Sequence, residues 1–380
     1  MMSKKIVFIV LAMVVLAAVA ALVWHSKRPS MAEPAVPERS SAARPAVEAG
    51  VTYVGSTSCA ACHAEQYGQW QGSHHDLAMQ EANTQSVLGD FNNAEFQYFD
   101  ITSRFYREGE RFMVRTDGPD GSLQDYPVKY TFGVTPLQHY LIEFPGGRLQ
   151  ALGLAWDSRP AEESGQRWFH LYPDEKIDHN DELHWTGYNQ NWNYMCADCH
   201  STNLQKNYDA QRQHFDSHWS EINVSCEACH GPGSGHIEWA AKDTTAQTQD
   251  QMRGLVVSLD ERRGVSWQMD PLTGTAQRSA PRDSTTEIEV CARCHARRAA
   301  IASDHVPGHA FMDAYRPALL TEQLYYPDGQ IREEVYVYGS FIQSKMFHAG
   351  VTCSDCHDTH TLKLRAPGDQ VCLGCHAAER

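Results

Sequence analysis

The stretch Cys226-Glu-Ala-Cys-His230 decides how this chain must fold, because its spacing is repeated along the sequence. The pattern C-x-x-C-H occurs six times and uses all twelve cysteines of the 380 residues. Cysteines at i and i+3 share one face of a helical turn, where both thiols can bond the two vinyl groups of one haem. The next histidine can then ligate the iron. The pattern therefore predicts six covalently attached c-type haems.

The six copies are called the first to sixth motifs in chain order. The predicted attachment sites are their cysteines, Cys59 and Cys62, Cys196 and Cys199, Cys226 and Cys229, Cys291 and Cys294, Cys353 and Cys356, Cys372 and Cys375. The predicted iron ligands are the histidines that follow, namely His63, His200, His230, His295, His357 and His376.

Other uses of paired cysteines fit this sequence less well. Zinc ribbons contain C-x-x-C pairs but do not need a histidine directly after each pair. Thioredoxin-like redox sites use a single C-x-x-C on a βα unit, which is not the pattern around these copies. Disulfides are plausible outside the cytosol, yet they would not impose six identical spacings.

The second axial ligand of each iron separates electron carriers from catalysts, because an open position admits substrate. Fourteen histidines lie outside the motifs, and five are favoured by their positions near one: His75, His236, His309, His348 and His360. For a sixth ligand, His170 and His184 are the best candidates. His75 follows His63 by 12 residues on a predicted short helix. We expect it to ligate a haem other than that of the first motif, and His74 to be exposed or in an outer shell.

The N-terminus predicts export. Residues 1–25 hold Lys4 and Lys5 followed by the uncharged run Ile6–Trp24, which suits either an uncleaved membrane anchor or a cleaved signal peptide. Residues 26–51 are rich in Pro, Ala, Ser and Glu and are predicted to be a flexible linker. Both alternatives place the rest of the chain on the periplasmic side of a bacterial inner membrane. The net charge of -15 argues against a nucleic-acid partner.

For residues 52–380 we predict one multihaem domain that is mainly α-helical, with long loops over the haems. From about 96 to 156, apolar and polar residues alternate between turn signals, as in Arg111-Phe-Met-Val-Arg115. This alternating pattern predicts a small antiparallel β-insert. The chain stops four residues after His376, which suggests a truncated form.

Residues between the motifs resemble a known family. Cys59-Ala-Ala-Cys-His63 followed by Trp70-x-x-Ser-x-His75-x-x-Ala-Met79 resembles the cytochrome c-552/c-554 group of multihaem cytochromes. The stretches Gln166–Pro173, Asn191–Cys196 and Cys226–Ser234 look like a bacterial subfamily in which doubled C-x-x-C-H regions are often joined to tetratricopeptide repeats. The resemblance covers about residues 52–380. It implies a periplasmic, mostly helical protein, with His75 and His236 at positions used as distal ligands on neighbouring haems.

Three functions follow from these observations. The surplus of histidines favours electron transfer between a quinol-linked donor and a periplasmic acceptor. The alternative is an oxidoreductase acting on a small nitrogen or sulfur compound of the nitrite, hydroxylamine or tetrathionate type, for which Tyr194 and Arg293 are the catalytic candidates. A third reading is a haem-bearing module that binds partner complexes.

Overall fold

A nine-stranded antiparallel sheet forms the first half of the computed structural model, which describes residues 50–242, 250–303 and 305–377. The strands are β1 Met79–Glu81, β2 Ala94–Tyr98, β3 Ile101–Glu108, β4 Arg111–Asp117, β5 Leu123–Phe132, β6 Leu137–Phe144, β7 Arg148–Ala151, β8 Leu154–Asp157 and β9 Arg167–His170. The order in the sheet is β2-β3-β4-β5-β6-β8-β9, with β1 added beside β5 and β7 beside β6.

Successive side chains of β6 point to opposite faces of the sheet, and both faces are apolar. Tyr140 and Ile142 join a cluster of aromatic side chains that includes Phe105 and Trp168, stacked at 3.5 Å between ring centroids. Leu141, between them, points to the opposite face and a second cluster. That second cluster contains Trp192 and Ala197 next to the second motif, so one face of the sheet packs directly on a predicted haem-binding segment.

The turn between β6 and β7 shows why glycine is needed at one of its positions. Gly147 has a φ of +68°, and a Cβ there would lie 2.0 Å from the carbonyl oxygen of Phe215. Only glycine allows both the left-handed backbone and this close approach. The contact fixes the 213–215 loop against the end of the sheet.

The helices are short, and each motif has at least one of its cysteines on a helix. They are α1 Thr57–Ala60, α2 Ala64–Trp70, α3 Trp192–Met195, α4 Ala197–His200, α5 Cys226–His230, α6 Ser234–Ala240, α7 Thr286–His295, α8 Phe311–Ala314, α9 Tyr338–Phe341, α10 Lys345–His348, α11 Cys353–Cys356 and α12 Gln370–Leu373. The described residues also form three two-stranded sheets: β10 Tyr208–Asp209 with β11 His214–Phe215, β12 Trp267–Asp270 with β13 Thr275–Arg278, and β14 Arg298–Ala300 with β15 Tyr315–Pro317.

The expectation of a mainly α-helical protein with a small β-insert is wrong. The strand pattern continues beyond residues 96–156 on both sides, since β1 pairs with β5 and β9 pairs with β8. Helices stay short because each motif needs only about one turn to present its thiols, and most motif helices are four or five residues long. The sheet, rather than a helical bundle, supplies the largest apolar core.

The predictions for the N-terminus concern residues that lie largely outside those the structure describes. The predicted anchor or signal segment at 1–25 and nearly all of the 26–51 linker precede residue 50, where the description begins. Among the residues that are described, no helix combines the length and apolarity required to cross a bilayer.

Replacing Phe105 by Ala tests the aromatic core of the sheet. Phe105 is 0 % exposed, so its loss should lower the free energy of unfolding by about 3–5 kcal/mol. Leu319→Ala is the control, since Leu319 is 78 % exposed and should change stability by less than about 0.5 kcal/mol. Denaturant titration of the haem-loaded protein, followed by circular dichroism, measures both. Equal effects of the two substitutions would contradict this packing.

Candidate haem-binding centre

Thiols from different motifs lie side by side. None of the twelve cysteines is in a disulfide, and three pairs of neighbouring cysteines each join two motifs. Cys59 of the first motif meets Cys226 of the third, and Cys199 of the second meets Cys294 of the fourth. Cys291 of the fourth also meets Cys353 of the fifth. Each thiol is one predicted haem anchor, so these contacts bring the edges of neighbouring haem sites together.

Cysteines of the remaining motifs also lie near one another. Cys229 of the third motif is near Cys291 and Cys294 of the fourth. Cys356 of the fifth is similarly near Cys372 and Cys375 of the sixth. The motifs therefore form one series, first–third–fourth–fifth–sixth, and the second joins it at the fourth.

A buried carboxylate holds the first motif to the third. Glu227 lies inside the third motif and is 2 % exposed. Its oxygens accept backbone hydrogen bonds from Val54 at 2.9 Å, Gly55 at 2.8 Å and Gly233 at 2.7 Å. Hydrogen bonds to a charged acceptor are stronger than neutral ones, and they satisfy a charge that would otherwise be costly to bury. The segment entering the first motif is thereby fixed against the helix of the third.

Carboxylates also join distant segments at other contacts between motifs. Glu287, one turn before the fourth motif, accepts hydrogen bonds from the backbone N–H and the hydroxyl of Ser354 in the fifth, both at 2.7 Å. Glu221 accepts the hydroxyl of Ser56, just before the first motif, at 2.6 Å. In each case a carboxylate from one segment satisfies donors on another, far away in sequence.

Asp198 joins the second motif to the fourth. Its carboxylate pairs with the guanidinium groups of Arg293, in the fourth motif, at 3.3 Å and Arg298 at 2.6 Å. It also accepts a hydrogen bond from the hydroxyl of Tyr315 at 3.0 Å. Burial opposes ionisation of Asp198, but the two guanidinium groups outweigh it and lower its pKa. Arg293 is therefore a buried structural cation, while Tyr194 is 63 % exposed beneath Lys206. Neither side chain has the surroundings of a catalytic group.

Two imidazole pairs have the geometry of a doubly ligated iron. The ring centroids of His63 and His236 are 6.0 Å apart, and those of His75 and His295 are 6.3 Å apart. Imidazole nitrogens bind transition metals at about 2 Å, so two rings on opposite sides of one iron have centroids about 6 Å apart. These residues fit a haem at the first motif and another at the fourth. His74, next to His75, is exposed.

His360 lies near the third motif. Burial, together with the neighbouring His360, His63 and His236, lowers the pKa of His230 to about 4. His309 and His348 have different ring neighbours from the other candidate ligands. In the described part of the chain, the ring contacts of these two residues are with His305 and Phe347 rather than with a motif histidine.

The two sequence candidates for the sixth ligand are engaged elsewhere. His184 has its Nε2 at 3.0 Å from Asp117 and its Nδ1 at 2.8 Å from the hydroxyl of Thr186, which leaves neither nitrogen for an iron. His170 stacks on Tyr98 with centroids 3.6 Å apart, and its Nδ1 accepts the backbone N–H of Tyr172. The aromatic residues around them, which suggested a haem pocket, belong to the sheet.

Sequence reasoning passed over His139, on β6. Its Nδ1 is buried and, among the residues that the structure describes, has no hydrogen-bond partner. Burial, together with the nearby His200 of the second motif, lowers the pKa of His139 to about 4. The signal that could have identified it is its place in the strand. Because side chains alternate along a strand, His139 lies on the same face as Leu141, which packs toward the second motif.

Comparison with known families agrees with this geometry. Residues 58–97 and 162–231 match the family model described as cytochrome c554 and c-prime, and residues 345–380 match that of the doubled CXXCH motif. This chain is a multihaem c-type cytochrome. Its resemblance to the cytochrome c-554 group is confirmed, although the matched residues make up less than half of the chain. The cytochrome c554 match is interrupted between residues 97 and 162, where β3 to β8 lie.

Two solved structures resemble the cytochrome at low sequence identity. The outer cell wall cytochrome OcwA has 16 % identity and a TM-score of 0.47, over 83 % of this chain and 58 % of that one. The undecaheme cytochrome from the S-layer of Carboxydothermus ferrireducens has 17 % identity and a TM-score of 0.39, over 87 % of this chain and 43 % of that one. The cytochrome thus spans about half the length of either structure. No curated protein matches it.

Replacing Glu227 by Ala tests the junction between the first and third motifs. Three backbone donors lose a charged acceptor, so the free energy of unfolding should fall by about 3 kcal/mol. Limited proteolysis should then cut near residues 50–56 sooner than in the unmodified protein. The matched control is Glu238→Ala, because Glu238 is exposed. Unchanged stability and unchanged cleavage in Glu227→Ala would contradict the role given to this carboxylate.

Proposed function

We propose that this cytochrome binds six haems and transfers electrons through them. The continuous series of motif contacts is the observation that carries the proposal. Glu227 joins the first and third motifs, Asp198 the second and fourth, and Glu287 the fourth and fifth. Cys229 of the third motif is near cysteines of the fourth, and Cys356 of the fifth is near those of the sixth. Six haems attached at these sites would form a single connected row with a branch at the fourth.

The residues proposed to hold the haems divide into anchors and axial ligands. The cysteine pairs of the six motifs form the covalent anchors, and the histidine after each pair is the proximal ligand. Distal ligands are proposed from the ring geometry as His236 for the first haem and His75 for the fourth. The proximity of His360 to His230 supports a role at the third. His309 and His348 remain proposed distal ligands.

The arrangement of side chains favours electron transfer over catalysis. Haem iron supplies one-electron redox chemistry, and two histidines saturate it and favour a low potential. The paired imidazoles leave no ligand position for substrate at the first and fourth sites. Arg293, the catalytic candidate inside the fourth motif, is buried and paired with Asp198.

The location and partners are part of the proposal. The run Ile6–Trp24 would export everything after it, whether it is retained or cleaved, which suits haem attachment on the periplasmic side. There we propose a quinol-linked donor and a periplasmic acceptor protein. The acidic balance of the chain would favour partners with a basic docking face.

Haem counting and spin state together test this function. Intact mass and a pyridine haemochrome titration of the purified holoprotein should give six covalent haems per chain. Low-temperature EPR of the ferric protein should be dominated by low-spin iron. Fewer than six haems would contradict the haem count, and a predominantly high-spin spectrum would contradict a pure carrier and favour turnover of a small substrate.

The neighbouring residues His75 and His74 provide a matched pair of substitutions. His75→Ala should leave all six haems attached and convert one iron to high spin, because the imidazole facing His295 is removed. His74→Ala should leave the spectrum unchanged, since His74 is exposed. EPR and haem counting on both variants check this. A high-spin signal from His74→Ala but not from His75→Ala would show that the assigned register is wrong.

A further inference from the structure

His139 presents an unsatisfied imidazole inside the protein. A buried ring nitrogen without a partner costs free energy, and native structures normally satisfy such groups. Its counterparts on the same sheet illustrate the rule, because the ring nitrogens of His184 and the Nδ1 of His170 all have hydrogen-bond partners. The orphaned nitrogen of His139 therefore indicates a group that binds there.

The backbone fixes the direction of this imidazole. His139 pairs with Phe132 across the ladder of β5 and β6, so the two side chains share one face of the sheet. The Phe132 ring packs against His139 at 4.7 Å and against His200 at 5.4 Å between centroids. Phe132 thus contacts both the imidazole of the sheet and the proximal histidine of the second motif.

His200 is already oriented as an iron ligand would be. Its Nδ1 lies 3.0 Å from the carbonyl oxygen of Ala78, directly before β1. A histidine that donates one ring N–H to a backbone carbonyl has its other nitrogen free and correctly directed for a metal. The same face of the sheet packs Leu141 with Ala197 and Cys196 of the second motif.

We propose that His139, carried by β6, is the distal ligand of the haem iron that His200 binds. The inference rests on the proposed function, since it requires a haem at the second motif. It also assigns a role to the sheet, which interrupts the match to the cytochrome c554 family: the sheet completes the second haem site from the opposite side.

Spectroscopy of His139 variants in the full holoprotein tests the inference. His139→Ala should retain six haems by mass and haemochrome titration while about one ferric iron in six becomes high spin by EPR. Added imidazole should restore the low-spin signal by occupying the vacated position. His139→Met should keep this iron low spin and raise its reduction potential, because a thioether replaces the imidazole.

His170→Ala is the matched control, since it also removes an imidazole from the sheet. It should leave the spin states unchanged. Pairing His139→Ala with Cys196→Ala and Cys199→Ala assigns the haem, because no new high-spin iron should appear once the second haem is gone. If His139→Ala keeps six low-spin haems, or if its high-spin iron persists without the second motif, the inference is overturned. If instead the proposed function is wrong, the unmodified protein itself should lack the second haem, which distinguishes the two failures.

Discussion

A single helical turn that carries two thiols and an imidazole is too short to be stable alone, and this constraint governs the whole structure. Most motif helices have four or five residues, well below the length at which isolated helices form in water. Their stability must come from contacts with other segments. Glu227, Glu287 and Asp198 supply such contacts by satisfying donors on distant parts of the chain. The polar links that hold each turn in place are also the links that bring one haem site next to another.

The sheet solves a related problem of burial. Short helices and long loops bury few apolar side chains around the motifs. The cluster around Phe105 and Trp168 instead forms one large apolar core that is independent of the motifs. Its other face packs on the second motif through Leu141 and Trp192. A rigid antiparallel sheet can hold an imidazole against a haem site more precisely than a loop can, because ladders on both sides fix the strand. On this account the sheet is a structural part of the redox chain.

The sequence was sufficient to identify the haem chemistry, because the spacing of cysteines and histidine is dictated by covalent attachment. It also located strands between residues 96 and 156, where period-2 alternation is regular. It could not give the extent of the sheet, since β1 has only three residues and is defined by its partner β5. His184 was misjudged for a comparable reason: the aromatic sequence around it is equally typical of a haem pocket and of a sheet core. Only the position of Asp117, 67 residues away, shows which applies. His139 was passed over because its alternation with Tyr140 indicates which face of the strand it lies on, and this alone does not distinguish a ligand from a core histidine.

An iron anomalous-diffraction map of crystals of the holoprotein would show whether the six proposed haem sites form one connected row held by paired motifs. We expect six iron peaks, with one between His63 and His236 and one between His75 and His295. The peak at the second motif should neighbour that at the fourth, and the others should follow the order first, third, fourth, fifth, sixth. A missing peak, or an iron isolated from all the others, would contradict this arrangement.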